Sequence, residues 1–388
     1  MKFYIQTFGC QMNSADSEEM SGHFLQHGLV PTLNKEEADL LLLNTCTVRQ
    51  HAEDKALSYI GRLKPWKKKK SGRKIIVTGC AAERLKNSLQ KRFPFVDLVI
   101  GARSIEEFPR IVNSLFKEKN SAFDWFHESE SSFKSGALRQ SGKPFVLGDS
   151  QSTVFVTIMR GCNYSCSYCI VPQVRGREIY RPADQILQEI REKVSSEEKE
   201  VMLLGQTVNS YWDRRDRPEK KLFDFSDLIC EVNEIANVRS IRFMSPHPHY
   251  MSGKLICALS ECKKICREIH LPVQSGSNKI LKMMKRNYTR EEYIEIADQL
   301  KRAIPDLKLS TDFIVGFPGE EEEDFEQTLS LIDRIPFSLA YCFKYSPRAG
   351  TESALLKEEV ALPLKEERIS RLLKKVENKQ TSLACSKK

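Results

Sequence analysis

Short apolar runs alternate with longer helical patterns along the first hundred residues. The run at 39–44 (DLLLLN) has no polar alternation after its first residue, which is typical of a strand buried on both faces. Strands are predicted at 2–7, 39–44, 74–78 and 96–100, and helices at 14–27, 48–64 and 82–91. This alternation predicts a parallel sheet covered by helices on both faces.

A second series of strands and helices begins near residue 154, after a stretch rich in serine, glycine and charge. Its strands are predicted at 154–159, 201–204, 240–243, 268–271, 308–315 and 339–345, and its helices at 182–193, 226–236, 290–303 and 321–334. Six strands are too few for a closed eight-stranded barrel. The predicted fold class is therefore α/β, with an N-terminal parallel-sheet domain followed by an open, partial TIM barrel of six β/α units.

The domain organisation follows from these two series. An N-terminal domain is expected at 1–117, a linker at 118–150, a barrel at 151–346 and a helical tail at 347–388 with a basic amphipathic helix at 365–379. A chain of 388 residues is long enough for two or three domains that each bury a core.

Composition narrows the class of protein. The chain is 40% hydrophobic and 29% charged, as in a soluble globular protein. Its net charge of +9 permits a nucleic-acid partner without requiring one. The N-terminus lacks the pattern of an export signal, and the longest aliphatic runs are far too short to span a membrane. A cytoplasmic protein with reduced thiols is therefore expected, and its twelve cysteines indicate metal or redox chemistry.

The strongest chemical signal is a C-x3-C-x2-C loop directly after the first barrel strand. Cys162, Cys166 and Cys169 can bind three corners of a cubane iron–sulfur cluster and leave one iron open. A structural zinc ion is the competing interpretation, but it needs a fourth ligand from elsewhere. Packing of the three as small apolar side chains fits poorly with the Asn, Ser and Tyr residues around them.

A second triplet is spread along the N-terminal domain. Cys10, Cys46 and Cys80 each follow a predicted strand, at spacings of 36 and 34 residues that match one β/α unit each. Because ligands of open parallel sheets gather beyond the carboxyl ends of the strands, these thiols are expected to lie together. Three unrelated buried thiols are the alternative.

The other six cysteines carry weaker signals. Cys257, Cys262 and Cys266 lie in a segment with a helical pattern (GKLICALSECKKIC) and are expected to be structural or incidental thiols. No role is assigned to the isolated residues Cys230, Cys342 and Cys385.

Long motifs around both triplets resemble the radical S-adenosylmethionine (SAM) methylthiotransferases, over residues 2 to about 378. The matching segments are YIQTFGCQMNSADSE at 4–18, LLNTCTVRQHAEDKALSYIGRL at 42–63, GCNYSCSYCIVPQVRGRE at 161–178, LLGQTVNSY at 203–211, HLPVQSGSNKILKMMKRNYTREEY at 270–293 and STDFIVGFPGEEEEDF at 310–325. The form TCTVRQHAEDKA favours the tRNA-2-methylthio-N6-dimethylallyladenosine synthase branch. The branches that act on threonylcarbamoyl-adenosine in tRNA or on a ribosomal-protein aspartate are the alternatives.

This resemblance implies two 4Fe–4S clusters and SAM as cofactors. The loop triplet would hold the cluster whose open iron binds SAM, which is cleaved to methionine and a 5′-deoxyadenosyl radical, and Tyr168 would border the adenine. Cys10, Cys46 and Cys80 would hold an auxiliary cluster, at which a sulfur is methylated by a second SAM and delivered to the substrate.

Polar residues after the barrel strands are candidates to complete the SAM pocket, by position and by resemblance. They are Gln206, Asn209, Ser245, His247, Gln274 and Ser275. An ordinary role in capping turns is the alternative for each of them. The segment 316–320 (GFPGE) resembles the last SAM-side strand motif of the family.

The substrate implied by the resemblance is a tRNA whose adenosine 37, in the anticodon loop, carries an N6-isopentenyl group. Basic residues are expected to guide its phosphates, with Arg175 and Arg177 beside the loop triplet and Lys67 and Lys68 in the basic segment 62–74 as candidates. The lysines would otherwise belong to a solvated loop.

Other partners also follow from the resemblance. We expect a reducing electron donor such as flavodoxin, a sulfur or cluster donor, no membrane and a monomeric chain. Family members normally continue into a small RNA-binding TRAM domain, and because the sequence stops about where that domain would begin, we expect it to be absent. A non-catalytic iron–sulfur protein that binds RNA and a zinc-binding structural module are the alternatives outside this chemistry.

Overall fold

The computed structural model describes residues 1–48, 50–117, 152–214, 222–357 and 360–385. The chain forms two compact units, one made of Met1–Gln151 with Gln173–Gly176 and the other of Ser152–Pro172 with Arg177–Lys388. The predicted linker at 118–150 lies outside the described residues.

The first unit is a five-stranded parallel sheet with helices on both faces. Its strands are β1 (Lys2–Thr7), β2 (Val30–Pro31), β3 (Leu40–Thr45), β4 (Lys74–Gly79) and β5 (Leu98–Gly101), and its helices are α1 (Gln11–Gln26), α2 (Gln50–Gly61), α3 (Lys64–Lys68), α4 (Cys80–Arg92) and α5 (Phe108–Lys117). The strand order is β2-β1-β3-β4-β5. In such sheets ligands bind where the order reverses, which here is between β1 and β3.

The apolar run of β3 explains why this sheet is covered twice. Leu40 and Leu42 face one core with α1 and α5, whereas Leu41 and Leu43 face a second core with α2, α3 and α4. Successive side chains of a strand point to opposite faces, so a run without polar positions needs a helix layer on each side.

Six of the ten strands described in the second unit are parallel and lie side by side in chain order, as expected for an open barrel, and the other four form two short antiparallel pairs. Its strands are β6 (Thr153–Thr157), β7 (Met159–Arg160), β8 (Ile179–Tyr180), β9 (Lys199–Leu204), β10 (Trp212–Asp213), β11 (Phe223–Asp224), β12 (Val238–Phe243), β13 (Glu268–His270), β14 (Lys308–Val315) and β15 (Leu339–Lys344). The sheets β12-β9-β6 and β13-β14-β15 are parallel and are linked by a bridge between Ile241 and Ile265. The two short pairs β7–β8 and β10–β11 are antiparallel.

Helices of this unit pack against the six strands around one large apolar core. They are α7 (Ala183–Lys193), α8 (Phe225–Asn233), α9 (Gly253–Glu261), α10 (Asn278–Met283), α11 (Arg290–Ala303), α12 (Glu322–Arg334) and α13 (Leu362–Cys385). The short helix α6 (Val171–Arg175) begins in this unit and ends in the first. Among the described residues no helix combines the length and the apolarity needed to cross a membrane.

The structure corrects three sequence-based element boundaries. The helix predicted at 48–64 ends at Gly61, and a new helix, α3, begins at Lys64 with Pro65 in its first turn. The strand predicted at 154–159 divides at Ile158 into β6 and β7. The helical pattern expected through Cys266 ends at Glu261, so Cys262 and Cys266 lie outside the helix, and the Cys262 sulfur lies 3.6 Å from that of Cys230.

Helix α13 is anchored to the barrel by a buried ion pair. Arg368 Nη1 donates to Glu320 Oε2 at 2.9 Å, and the two side chains are 2% and 1% exposed. Glu320 also accepts a hydrogen bond from the Gly316 amide at 2.6 Å, so one carboxylate closes the 316–320 turn and holds the helix.

Replacing Arg368 with alanine should lower the free energy of unfolding by about 3–5 kcal/mol, because it leaves a buried carboxylate without its cation. Burial raises the pKa of Glu320 to about 7. Because this pKa lies above that of the unfolded chain, stability falls as pH rises toward about 7. Arg368 opposes the rise, so its removal raises the pKa of Glu320 further and makes deprotonation in the folded variant more costly. The loss in Arg368→Ala should therefore be larger at about pH 8 than at about pH 5.5. Urea unfolding followed by circular dichroism measures it.

The matched control is Arg371→Ala on the same helix. Arg371 is 35% exposed and pairs with the exposed carboxylates of Glu322 and Glu326. Its loss should cost about 1 kcal/mol or less. Equal losses in the two variants would contradict the anchoring role of Arg368.

Candidate active site

Three cysteines lie directly after the carboxyl ends of adjacent strands in the first unit. Cys10 follows β1 and is exposed, whereas Cys46 after β3 and Cys80 after β4 are buried. The parallel register pairs Thr7 with Asn44 and Thr45 with Gly79, so the three strands end level with one another. The strand ends therefore deliver the three thiols to one edge of the sheet.

Two glycines with positive φ let the cysteine-bearing loops approach one another. At Gly9 (φ +124°), a Cβ would lie 2.6 Å from Cys46 Cβ and 3.1 Å from Cys46 Sγ. At Gly79 (φ +97°), a Cβ would lie 2.3 Å from the Thr45 carbonyl oxygen. Any larger residue at either position would push the loops apart, and the positive φ would strain it.

Hydrogen bonds tie the same loops together. Asn13 Nδ2 donates to the Phe8 carbonyl at 2.9 Å and to the Thr45 carbonyl at 3.1 Å. Thr45 Oγ1 donates to the Thr78 carbonyl at 2.6 Å and accepts from the Ala82 amide at 3.2 Å. The segments that carry the three thiols are therefore held by buried polar contacts as well as by the sheet.

The donor set at this edge consists of three thiols, which are the usual ligands of iron–sulfur clusters. A cubane cluster binds each thiolate through a different iron, so its ligands need not converge on one point. The residues present therefore fit such a cluster.

Arg175, expected on a phosphate-binding surface, is instead buried beside this triplet. Its Nε donates to Cys80 Sγ at 3.3 Å, and Nη2 donates to Asn13 Oδ1 and Asp16 Oδ2, both at 2.9 Å. Burial raises the pKa of Cys80 to about 11, and the positive charge of Arg175 opposes that rise. The prediction that Arg175 contacts tRNA phosphates is corrected, because its guanidinium is buried and already donates hydrogen bonds to Cys80, Asn13 and Asp16.

The second triplet lies on the loop that follows β7. Cys162 Sγ is 3.3 Å from Thr207 Oγ1, and Arg286 Nη1 donates to Cys166 Sγ at 3.5 Å. The Cys169 amide donates to the Cys166 carbonyl at 2.9 Å, which closes the C-x2-C turn. The loop therefore presents three thiols from one short segment, two of them in contact with side chains from distant segments.

Burial governs the protonation of these thiols. Desolvation raises the pKa of Cys162, and it raises the pKa of Cys169 to about 12 with a further contribution from Cys166. Because metal ligands must be thiolates, binding of a metal group at this loop releases protons.

The loop is docked on the segment that follows α10. The Ser167 amide donates to the Met284 carbonyl at 3.1 Å, and Ser167 Oγ donates to the Met283 carbonyl at 2.8 Å. The neighbouring Tyr168 packs against an apolar cluster of Ile280, Met284, Phe317 and Tyr345. Tyr168, whose ring is expected beside the adenine, therefore packs the cysteine loop against this apolar cluster.

Two buried polar atoms after β9 and β12 have no hydrogen-bond partner in the described part of the chain. They are Gln206 Oε1 and His247 Nε2. His247 Nδ1 accepts from the His249 amide, its ring stacks on Tyr164 at 4.0 Å, and burial lowers its pKa to about 2. A neutral imidazole whose Nδ1 accepts carries its proton on Nε2. One unpaired acceptor and one unpaired donor thus remain for a ligand.

Of the other strand-end candidates, Asn209 and Ser275 have side-chain contacts within the protein. Asn209 uses both ends of its side-chain amide on the backbone of His247, at 2.8 and 2.9 Å, so it braces the loop after β12. Ser245 is exposed with φ 60°, and Gln274 is buried with φ 73°. Ser275 lies 3.4 Å from the Thr328 hydroxyl.

The basic candidates differ in their surroundings. Lys67 donates to the Phe95 carbonyl at 2.6 Å and pairs with Asp97 at 2.5 Å, so its charge is bound within its own unit. Lys68 and Arg177 are exposed. The segment around 316–320, expected near SAM, uses its carboxylate on helix α13 as described above.

Sequence reasoning missed Thr207 and Arg286 as neighbours of the loop cysteines. Both lie inside motifs that carry the family resemblance, but they are 45 and 120 residues from the cysteines that they contact. Nothing in local spacing pairs residues so far apart.

Two family models match the chain. One is described as the uncharacterized protein family UPF0004 and matches residues 2–101, and the other is the radical SAM superfamily and matches residues 156–332.

Several curated relatives match almost the whole chain, and they bear the name tRNA-2-methylthio-N(6)-dimethylallyladenosine synthase. The protein of Clostridium botulinum (strain Loch Maree) is 42% identical over 377 residues, which are 97% of this chain and 81% of that protein. The protein of Caldicellulosiruptor saccharolyticus is 43% identical over 377 residues, 97% of this chain and 78% of that protein.

Solved structures with the same fold are radical SAM enzymes. The methyltransferase TsrM from Kitasatospora setae, with cobalamin and a [4Fe-4S] cluster bound, has a TM-score of 0.64 at 11% identity, over 91% of this chain and 77% of that one. The cobalamin-dependent enzyme OxsB has a TM-score of 0.58 at 14% identity, over 95% of this chain and 56% of that one. These similarities establish the fold alone.

Replacing Gln206 with methionine should weaken SAM binding roughly tenfold and leave the unfolding free energy unchanged or about 1 kcal/mol higher, because it removes a buried acceptor that lacks a partner. Calorimetric titration of the reconstituted protein with SAM and thermal unfolding measure the two effects. Gln188→Met, at an exposed position of α7, is the control and should change neither. Unaltered SAM affinity in Gln206→Met would overturn the assignment.

Proposed function

This chain belongs to the radical SAM methylthiotransferases that include the tRNA-2-methylthio-N(6)-dimethylallyladenosine synthases, and on that premise we propose that it adds a methylthio group to carbon 2 of N6-isopentenyladenosine 37 in tRNA. The observation that carries the proposal is the pair of thiol triplets, one in each unit of a chain whose sequence aligns with these enzymes over 97% of its length. The reaction consumes two molecules of SAM.

We propose one 4Fe–4S cluster at each triplet. Cys162, Cys166 and Cys169 would hold one with an iron open to SAM, and Cys10, Cys46 and Cys80 would hold the auxiliary one. When bound, the first cluster supplies the electron that cleaves SAM to methionine and a 5′-deoxyadenosyl radical, and the second supplies the site of the transferred sulfur.

The residues around the loop triplet orient it. Thr207 and Arg286 contact two of the three sulfurs, and hydrogen bonds to sulfur stabilise the thiolate form and set the electronic properties of a cluster. Ser167 fixes the loop through two hydrogen bonds to the backbone at 283 and 284. The thiols are therefore held in place before SAM arrives, which lowers the cost of ordering the site.

His247 and Gln206 supply one donor and one acceptor to SAM in this proposal. The imidazole stays neutral because burial and the nearby Arg286 cation both lower its pKa. Its Nε2–H therefore serves as a hydrogen-bond donor at any physiological pH and does not compete as a base. Gln206 Oε1 suits an ammonium or hydroxyl donor such as SAM carries.

Recognition of tRNA rests on an unstacked base and on phosphate contacts. An anticodon-loop base is single-stranded and can be turned into a pocket at modest cost. The exposed cations Lys68 and Arg177 are the candidates for phosphate contacts, whose contribution falls with salt. An electron donor such as flavodoxin, a sulfur or cluster donor, a cytoplasmic location and a monomeric state complete the proposal.

Anaerobic reconstitution with iron and sulfide, followed by incubation with SAM, a reductant and isopentenylated tRNA, tests this function. Mass spectrometry of the digested nucleosides should show isopentenyladenosine with a methylthio group in place of one hydrogen. The same tRNA without the isopentenyl group is the control and should stay unmodified. Product formed only on threonylcarbamoyl-adenosine would assign the chain to another branch.

Two cysteine variants in the same assay separate the roles of the triplets. Cys166→Ala should abolish reductive SAM cleavage, because the SAM-binding cluster loses a ligand. Cys46→Ala should retain cleavage but lose sulfur transfer. Cys230→Ala, at an exposed cysteine on α8 outside both triplets, should retain both. Equal loss of cleavage in the first two variants would contradict the division of labour.

A further inference from the structure

Arg175 is the last residue of α6 and belongs to the first unit, although it follows Cys169 by only six positions in the sequence. Its side chain is 5% exposed. A long cationic side chain is seldom buried unless something specific holds it, and the mechanism above gives this one no role.

Its contacts are directional. The Nε–H group points at Cys80 Sγ at 3.3 Å, and Nη2 reaches Asn13 Oδ1 and Asp16 Oδ2 at 2.9 Å each. Asn13 cannot rotate away, because its own Nδ2 donates to the Phe8 and Thr45 carbonyls. The guanidinium fork is thus locked with one donor aimed at a sulfur.

The positive charge and the Nε–H donor of Arg175 would stabilise Cys80 once this thiol has lost its proton. Cys46 and Cys80 are 3% and 2% exposed, and buried anions are stable only when they are paired or hydrogen-bonded. Arg175 keeps its proton at any physiological pH. Asp16 holds Nη2 of the guanidinium, and although its carboxylate itself raises the pKa of Cys80, the Nε–H group remains directed at that sulfur.

We propose that Arg175 is a positioning residue of the auxiliary cluster: its guanidinium donates a hydrogen bond to the Cys80 thiolate, stabilises the bound cluster and raises its reduction potential. Hydrogen bonds to cluster sulfurs are among the determinants of that potential. This inference rests on the auxiliary cluster of the proposed function.

The test uses full-length protein in which Cys162, Cys166 and Cys169 are all replaced by alanine, so that only the auxiliary cluster can assemble. After reconstitution with iron and sulfide, the midpoint potential is measured by a redox titration followed by electron paramagnetic resonance. Iron loss to a chelator gives cluster stability. Neither readout depends on turnover.

In this background Arg175→Gln should lower the midpoint potential and speed iron loss about tenfold, as for other residues that bond to metal ligands. Arg175→Lys keeps the charge without the fork, so both effects should be smaller. Arg110→Gln, at an exposed arginine of α5 in the same unit, is the matched control and should change neither value.

Each outcome is decisive. If the triple-alanine background takes up no cluster, the auxiliary site of the proposed function fails and the inference fails with it. If it takes up a cluster and Arg175→Gln behaves like Arg110→Gln, the inference alone is overturned. If circular dichroism shows that Arg175→Gln does not fold, Arg175→Lys decides, and an unchanged potential and iron-loss rate would overturn the inference.

Discussion

Parallel strands that end level at one edge of a sheet are the constraint on which the candidate auxiliary site depends. Three cysteines separated by whole β/α units can meet only because β1, β3 and β4 are adjacent and in register. Glycines with positive φ at two of the three strand ends permit the close approach, and Asn13 and Thr45 hold it with buried hydrogen bonds. In the barrel, three thiols lie close together because one short loop carries all of them, and Ser167 fixes this loop through a hydrogen bond to the Met283 carbonyl.

In each triplet an arginine is directed at a sulfur, and it is buried in the first unit and half-buried in the second. Arg175 contacts Cys80 in the first unit, and Arg286 contacts Cys166 in the second. Burial raises the pKa of the Cys80 thiol, so its thiolate gains from a fixed cation whose hydrogen bond favours the charged form. Arginine suits this position because it keeps its charge when buried and offers several donors in a rigid plane.

The structural features that could be predicted from sequence are those that depend on neighbouring residues in the chain. The unbroken apolar run of β3 predicts a doubly covered sheet, and cysteines that follow strands predict thiols at one edge. Arg286 and Thr207 could not be found that way, because the cysteines that they contact lie far along the chain. Gln206 and His247 could be named from their positions after strands, but only the structure shows that one buried polar atom of each has no hydrogen-bond partner among the described residues. Arg175 illustrates this limit: a basic residue beside a motif predicts a phosphate contact, and only the structure shows that its side chain is buried against Asp16 and Cys80.

The central claim is that one chain carries two independent three-thiol cluster sites. Iron analysis with Mössbauer spectroscopy tests it most directly, on anaerobically reconstituted wild type and on two variants, each with one triplet replaced by alanines. The account predicts about eight irons per chain in the wild type, as two 4Fe–4S clusters, and about four in each variant. About four irons in the wild type, or a variant that loses all of its iron, would contradict it.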